Sequence, residues 1–155
     1  MQIDIPGFKE LDIENIVFDY NGTLAVNGFV SNEIKIVLNK LSELFNIYVI
    51  TADTFGTVKE ELKDLNLKVI VLKSTNHTQE KANFVKELGV SKTIAIGNGN
   101  NDVEMLKNAI VSISIIAQEG CSKNALLSSD IVCKSIKDAI EILINSKKIV
   151  ATLRC

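Results

Sequence analysis

The sequence predicts a three-layer α/β fold, in which a central, mainly parallel sheet lies between two layers of helices. Three observations predict it. Apolar runs of strand length alternate with segments whose apolar residues repeat at helical spacing. The apolar runs are continuous rather than alternating, which is typical of strands buried on both faces. A regular succession of strand and helix is the pattern of a parallel sheet that is covered on both sides.

Each predicted element has its own signal in the chain. Ser31 is a suitable N-cap for the first helix, and Glu33 is an acidic residue in its first turn. Gly89 is suited to end the third helix. The predicted strands are residues 16–20, 47–51, 68–72, 93–96, 110–115 and 130–133. The predicted helices are residues 31–45, 54–65, 78–88, 101–108, 122–127 and 135–144. Residues 147–155 give no clear signal.

Length and composition indicate one domain over residues 1–155, with its core at about 15–144. Apolar residues make up 46% of the chain, but no apolar run reaches the roughly 18 to 20 residues that span a bilayer. Because the N-terminus also lacks the features of a signal peptide, we expect a cytoplasmic protein. The net charge of −2 gives no electrostatic reason to expect binding to nucleic acid or to a membrane.

The first polar loop follows the first predicted strand and begins with Asp19. It continues through Asn21, Gly22 and Thr23. Glycine at this point lets the backbone turn back and lets a ligand approach closely. The hydroxyl and amide of Thr23 are suited to a phosphate oxygen. An ordinary turn after a strand would show a similar sequence, so this loop alone does not decide between structure and function.

A second polar loop follows the strand at residues 93–96 and contains Asn98 and Asp102. The carboxyl ends of parallel strands meet at one edge of the sheet, so we expect this loop to lie near Asp19. Oxygen ligands from carboxylate and amide groups fit Mg²⁺, which takes one or two carboxylates and keeps several waters. A carboxylate oxygen beside the cation can attack phosphorus.

Two further positions complete the candidate site. Thr51 ends the second predicted strand and is followed by Ala52, where a hydroxyl and the backbone can bind a phosphate oxygen. Thr51 is also suited to begin a helix. Lys81 lies near the start of the third predicted helix, where a lysine can neutralise the charge of a transferred phosphoryl group. Most lysines are solvated surface residues, so Lys81 is a candidate site residue only because the other motifs accompany it.

Together these four motifs, in this order, resemble the haloacid dehalogenase (HAD) superfamily. The family's Asp-x-Asp-x-Thr motif matches Asp19 to Thr23 except at Asn21, and its Gly-Asp-Gly-x-Asn-Asp motif matches Gly97 to Asp102 except at Asn98. Its Thr and Lys motifs match Thr51 and Lys81. Within the superfamily, the chain most resembles the phosphorylation domain of P-type ATPases, whose first loop reads Asp-Lys-Thr-Gly-Thr-Leu-Thr.

The resemblance implies a Rossmann-like, HAD-like fold. It also implies Mg²⁺-dependent phosphoryl transfer through an aspartyl phosphate on a small phosphorylated substrate. The segments between the motifs are too short for a cap domain. By this resemblance the catalytic residues are Asp19, Asn21 and Lys81. The phosphate-binding residues are Asn21, Gly22, Thr23, Thr51, Ala52 and Lys81. The metal ligands are Asp19, Asn21, Asn98 and Asp102. An open site without a cap also predicts a homo-oligomer.

The two departures from the family motifs bear on the mechanism. Asn21 replaces the acid that protonates the leaving group and activates water, and such help is typically worth about 10²- to 10⁴-fold. We therefore expect slow turnover or a phosphoenzyme that persists. Asn98 replaces a carboxylate close to the metal, so we expect weaker metal binding.

Three other functions are compatible with parts of the sequence. A catalytically impaired HAD-like protein would act as a binding or regulatory module. A receiver domain would carry its phosphorylated Asp after a later strand, whereas Asp19 follows the first. A Ser-His-Asp mechanism would need His77, the one histidine, which lies in a polar stretch.

Overall fold

The computed structural model describes residues 1–53 and 56–155, and its centre is a six-stranded parallel sheet. The strands are β1 (Gln2–Ile5), β2 (Lys9–Asp12), β3 (Asn15–Asp19), β4 (Asn46–Thr51), β5 (Lys68–Val71), β6 (Thr93–Gly97), β7 (Val111–Ile115) and β8 (Ile131–Cys133). The helices are α1 (Asn32–Ser42), α2 (Thr57–Glu61), α3 (His77–Leu88), α4 (Val103–Asn108), α5 (Lys123–Leu127), α6 (Ile136–Ile144) and α7 (Ser146–Leu153). Short 3₁₀ turns lie at Val90–Lys92 and Asn100–Asp102.

The order of strands in the sheet is β5-β4-β3-β6-β7-β8, and every neighbouring pair is parallel. The chain proceeds outward from β3 to β5, then returns to the centre at β6 and proceeds outward on the other side. The order therefore reverses between β3 and β6. In open α/β sheets, ligands bind beyond the carboxyl ends of the strands at such a reversal. The ends of β3 and β6 are where the sequence predicts the site.

Side chains of the central strands point alternately to two hydrophobic cores. On β3, Ile16 and Phe18 belong to the larger core, while Val17 belongs to the smaller one. The larger core also contains residues of α1, α6 and α7, whereas the smaller contains residues of α3, α4 and α5. All five residues of β3 are buried, as its continuous apolar run predicts. The predicted three-layer α/β fold is therefore confirmed.

The predicted strands and helices are present. At the majority of their ends, the observed boundary lies within one or two residues of the predicted one. The Ser31 hydroxyl accepts a hydrogen bond from the amide of Ile34 at 3.3 Å and caps α1 as predicted. The predicted helix at 54–65 is an exception. Residues 54 and 55 lie outside the described residues, and α2 ends at Glu61 because the chain turns at 62–65 to reach β5.

The strands β1 and β2 and the helix α7 have no counterpart in the prediction. β1 and β2 form an antiparallel hairpin, whose inward Ile3, Ile5 and Leu11 join the larger core. The alternation of Ile3 and Ile5 before a Pro-Gly pair was the available signal. α7 packs beside this hairpin and buries Ile149, and the amide of Cys155 donates to the carbonyl of Pro6 at 3.1 Å. None of the helices in the described parts of the chain is both long and apolar enough to cross a membrane.

Candidate active site

Asp19 is the last residue of β3, a central strand, and its side chain reaches the edge of the sheet. The chain turns back directly after it, because the carbonyl of Tyr20 accepts hydrogen bonds from the amides of Leu24 and Ala25 at 3.0 and 2.9 Å. Gly22 has a φ of 75°, which residues with a side chain rarely adopt. This tight turn leaves Asp19 only 7% exposed, with its carboxylate facing the neighbouring strand end.

The second loop lies beside the first and is organised by Asp102. One oxygen of its carboxylate accepts hydrogen bonds from the amides of Asn98 and Gly99, both at 2.9 Å. Gly97 makes this possible, because a Cβ at that position would lie 2.5 Å from Cγ of Asp102. The other oxygen of Asp102 accepts a hydrogen bond from Lys81 at 2.7 Å. Both oxygens are thus occupied, and Asp102 is fully buried.

Lys81 lies between the two carboxylates. Its Nζ donates to Oδ1 of Asp19 at 2.5 Å and to Oδ1 of Asp102 at 2.7 Å, and the residue is 1% exposed. The preceding residue helps to fix the start of α3, since the carboxylate of Glu80 accepts hydrogen bonds from the amides of Lys73 and Ser74. A lysine is almost never fully buried unless it is paired, so this burial indicates a built charge cluster.

The cluster carries two carboxylates and one ammonium group, so it has one excess negative charge when all three groups are ionised. Burial and the charge of Asp102 raise the pKa of Asp19 to about 7, although Lys81 opposes the rise. For Lys81, burial lowers the pKa, but the two carboxylates outweigh it and the pKa is raised. Lys81 therefore stays charged, and the excess negative charge favours a bound proton or a cation at Asp19.

A cavity of about 240 Å³ opens over this cluster. Its lining includes six of the predicted site residues: Asp19, Asn21, Thr51, Ala52, Lys81 and Asn98. It also includes Leu72, Gly99, Asn101 and Glu119. Another cavity, of about 270 Å³, lies at the opposite end of β4, and its lining has no Asp or Glu. Of these two cavities, the one at the carboxyl ends of the strands is therefore the one that carboxylates line.

The other three predicted residues, Gly22, Thr23 and Asp102, are outside this lining. The hydroxyl of Thr23 donates to Oδ1 of Asn98 at 3.2 Å, so it links the two loops. Asp102 lies outside the cavity lining and accepts hydrogen bonds from the second loop and from Lys81. Its predicted role as a metal ligand stays a prediction.

The oxygen atoms of the crevice fit a hard cation such as Mg²⁺. Within the described part of the chain, no three His, Cys, Asp or Glu side chains are grouped as a metal site. Mg²⁺ needs fewer, because it is usually bound by one or two carboxylates together with water and substrate phosphate. Asp19, the carbonyl group of Asn98 and Glu119 offer such oxygens, and the excess negative charge favours a cation. The donor set therefore fits Mg²⁺.

Glu119 is the charged lining residue that the sequence did not predict. It lies in a turn at 117–120, closed by a hydrogen bond of 2.9 Å from the amide of Gly120 to the carbonyl of Ala117. This turn follows β7, which is next to β6 in the sheet. The available signal was topological, since a loop after another parallel strand opens on the same edge.

Comparisons with known proteins agree with this architecture. A family model described as haloacid dehalogenase-like hydrolase matches residues 71–141, which include Lys81, Asn98 and Asp102. A soluble P-type ATPase-like phosphatase of Methanocaldococcus jannaschii is 22% identical over 135 residues. The chain belongs to the haloacid dehalogenase superfamily. That match covers 85% of this chain and 50% of the phosphatase, so the chain spans about half the length of this relative.

A second relative and several solved structures extend the comparison. An uncharacterised protein of the same archaeon is 51% identical over 69 residues, which are 44% of this chain and 74% of that protein. The crystal structure of 3-deoxy-D-manno-octulosonate 8-phosphate phosphatase from Moraxella catarrhalis, in complex with magnesium, phosphate and KDO, has a TM-score of 0.72. It is 18% identical, and the match covers 92% of this HAD-like chain and 94% of that one.

A cobalt-bound phosphatase of the same substrate from Haemophilus influenzae has a TM-score of 0.73 at 14% identity, with 90% and 92% of the two chains covered. Phosphoserine phosphatase from T. onnurineus gives 0.63 at 16% identity, with 86% and 96% covered. At these identities the likeness shows the HAD fold. Two of the neighbours were solved with a divalent metal ion.

Proposed function

We propose that this chain is a Mg²⁺-dependent phosphatase or phosphotransferase that acts through an aspartyl phosphate on Asp19. The observation that supports the proposal most directly is the buried charge cluster. Asp19 lines the cavity, and its carboxylate is held 2.5 Å from the ammonium group of Lys81. An oriented carboxylate at a site that favours cations is suited to attack a phosphoryl group, whose negative charge needs neutralising.

In the first step, a carboxylate oxygen of Asp19 forms a bond to phosphorus as the bond to the leaving oxygen breaks. Lys81 keeps the nucleophile oriented and neutralises charge on the phosphoryl oxygens. Thr51 and Ala52 line the same cavity and are the proposed contacts for those oxygens. Bound Mg²⁺ would supply further positive charge for the phosphoryl group. Asp19, Asn98 and the backbone carbonyl of Asn21 are the proposed residues to hold it.

In the second step, water attacks phosphorus, phosphate leaves, and the carboxylate of Asp19 is restored. Asn21 lines the cavity next to Asp19, in the place where an acid would act, but an amide exchanges no proton near neutral pH. The leaving oxygen must therefore take its proton from solvent. Good leaving groups, such as p-nitrophenolate and acetate, need this proton least, so we expect them to react fastest. The phosphoenzyme is expected to accumulate.

Small phosphorylated compounds are the proposed substrates. The relatives include a soluble phosphatase, and the neighbours include phosphatases of a sugar acid phosphate and of phosphoserine. A cavity of about 240 Å³ is below the usual range for drug-sized ligands, so it suits a phosphoryl group with a small part of the substrate.

A binding or regulatory role is the second candidate. It is supported by Asn21, which removes the proton-transfer group from the lining of the cavity. In this case the chain would bind phosphate or a phosphorylated ligand at the same crevice without turnover. Mutation of Asp19 would then change ligand affinity, but no phosphoenzyme would form in the unmodified protein.

The deciding experiment measures hydrolysis of p-nitrophenyl phosphate and acetyl phosphate with Mg²⁺, with intact-mass detection of the phosphoenzyme. We expect Asp19→Asn to abolish both signals. We expect Asn21→Asp to raise turnover by about 10²- to 10⁴-fold, since it restores a general acid and base. Asp12→Asn is the matched control, because Asp12 is exposed on the β1–β2 hairpin before β3, at the far end of the strand from Asp19.

Activity that is unchanged in Asp19→Asn would contradict the assignment of the nucleophile. If neither turnover nor phosphorylation is detected, even in Asn21→Asp, the binding role is favoured instead. Self-association stays a separate prediction of the open site. Light scattering that gives a monomer mass at working concentration would contradict it.

A further inference from the structure

The crevice contains a carboxylate for which the proposed mechanism has no use. Glu119 lies in the lining of the cavity together with Asp19. The third nearby carboxylate, that of Asp102, is fully buried, and both of its oxygens are engaged by Lys81 and by two backbone amides. Among the described lining residues, Asp19 and Glu119 are therefore the carboxylates open to a bound cation.

The side chain of Glu119 lies close to Gly22 in the first loop. A Cβ built on Gly22 would lie 2.7 Å from Oε2 of Glu119 and 2.6 Å from Nδ2 of Asn98. The two side-chain ends are thus neighbours over the same backbone atom, within about 5 Å of one another. A carboxylate at position 98 would therefore lie beside the first loop, as the carboxylate of Glu119 does. Gly22 also leaves this space free for both groups.

Asn98 itself holds the turn that carries Glu119. Its side-chain nitrogen donates to the carbonyl of Gly120 at 3.1 Å, and its backbone carbonyl accepts from the amide of Ser122 at 2.8 Å. A carboxylate has no N–H and cannot make the first of these bonds. The amide at position 98 therefore secures the turn at 117–120 against the loop after β6, which brings the carboxylate of Glu119 over the crevice.

We propose that Glu119 supplies the second carboxylate of the cation site, and that Asn98 positions it by holding the turn at 117–120. This inference rests on the proposed function, because it concerns the cation of the same phosphoryl-transfer site. Mg²⁺ prefers carboxylate oxygens and is commonly bound through one or two of them. Asp19 and Glu119 both line the crevice, so it offers that number.

The experiment measures cation affinity directly. Mn²⁺, which also takes oxygen ligands, is titrated into the metal-free full chain and the unbound ion is followed by electron paramagnetic resonance, with Mg²⁺ as competitor. Glu119→Gln keeps the shape of the side chain and removes its charge, and we expect it to weaken binding by about tenfold or more. Glu43→Gln, at the C-terminal end of α1, is the matched control and should leave affinity unchanged.

The double variant Asn98→Asp/Glu119→Gln tests where in the crevice the second carboxylate acts. It moves the negative charge to the neighbouring position over Gly22, so affinity should return to within a few-fold of the unmodified protein. Wild-type affinity in Glu119→Gln would overturn the proposal. A weakened single variant that the double variant does not rescue would overturn the placement of Glu119 over Gly22. Far-UV circular dichroism confirms that each variant is folded.

Hydrolysis by Asp19→Asn, measured in parallel, separates this inference from the proposed function. If hydrolysis depends on Asp19 while Glu119→Gln binds Mn²⁺ normally, only the role of Glu119 fails. If hydrolysis does not depend on Asp19, the proposed function fails, whatever the metal affinities are.

Discussion

Replacement of Lys81 by Met tests the buried charge cluster most directly. Methionine has a similar length but no charge, so it leaves the carboxylates of Asp19 and Asp102 facing each other. Each has an oxygen bonded to the same Nζ, at 2.5 and 2.7 Å, so these oxygens lie at most about 5 Å apart. At an effective dielectric constant of about 20, their repulsion is roughly 3 kcal/mol. Removal of one member of a buried ion pair typically costs a similar amount.

We therefore expect Lys81→Met to lower the free energy of unfolding by about 3 kcal/mol at pH 8.5. The loss should be smaller at pH 6. Asp19 has a raised pKa in the folded protein, about 7, and loss of the ammonium group raises that pKa further. When the pKa of a carboxyl group is higher in the folded protein than in the unfolded chain, ionisation of that group destabilises the fold. This loss of stability grows as the pH rises above the pKa of the unfolded chain. At pH 6 Asp19 is largely protonated in both proteins, which removes most of the repulsion.

The assay is urea unfolding followed by far-UV circular dichroism at both pH values, without divalent cations. Asp19→Asn added to Lys81→Met should restore most of the lost stability, because it removes one of the two charges. Lys107→Met is the control, since Lys107 pairs with Glu104 on the surface and such pairs contribute less than about 1 kcal/mol. A loss in Lys81→Met that is equal at pH 6 and pH 8.5 would refute the electrostatic reasoning and indicate a packing defect.

Three further predictions follow from the same geometry. Asp19→Asn alone should raise the free energy of unfolding of the metal-free protein at pH 8 by about 1 to 2 kcal/mol, since it removes the excess negative charge, and the gain should shrink toward pH 5 in the same urea assay. Gly97→Ala places a Cβ 2.5 Å from Cγ of Asp102, and we expect a loss of about 1 to 3 kcal/mol together with loss of hydrolysis. Gly28→Ala is its control, with no atom within 4 Å of the added Cβ and φ of +81° as its sole strain, and it should leave hydrolysis intact. Ser31→Ala should cost about 1 kcal/mol in thermal or urea unfolding through loss of the cap on α1, while Ser31→Thr should retain most of it.

The sequence by itself determined the fold class and most of the crevice lining. Continuous apolar runs indicate strands buried on both faces, and the structure contains each of them within one or two residues. Because parallel strands all end at the same edge of a sheet, Asp19, Thr51 and Asn98 could be predicted to meet. Local spacing was sufficient for this, since each of these residues lies at the end of an apolar run or within two residues of it.

The tertiary structure decided which of these side chains face the cavity. The carboxylate of Asp102, a predicted metal ligand, accepts hydrogen bonds from two amides of its own loop and from the ammonium group of Lys81, and the residue is outside the lining of the cavity. Glu119 was not predicted, because its position depends on a hydrogen bond between Asn98 and Gly120, which are 22 residues apart. The order of strands, the close approach at Gly22 and such long-range bonds are set by packing, and no local pattern of residues contains them.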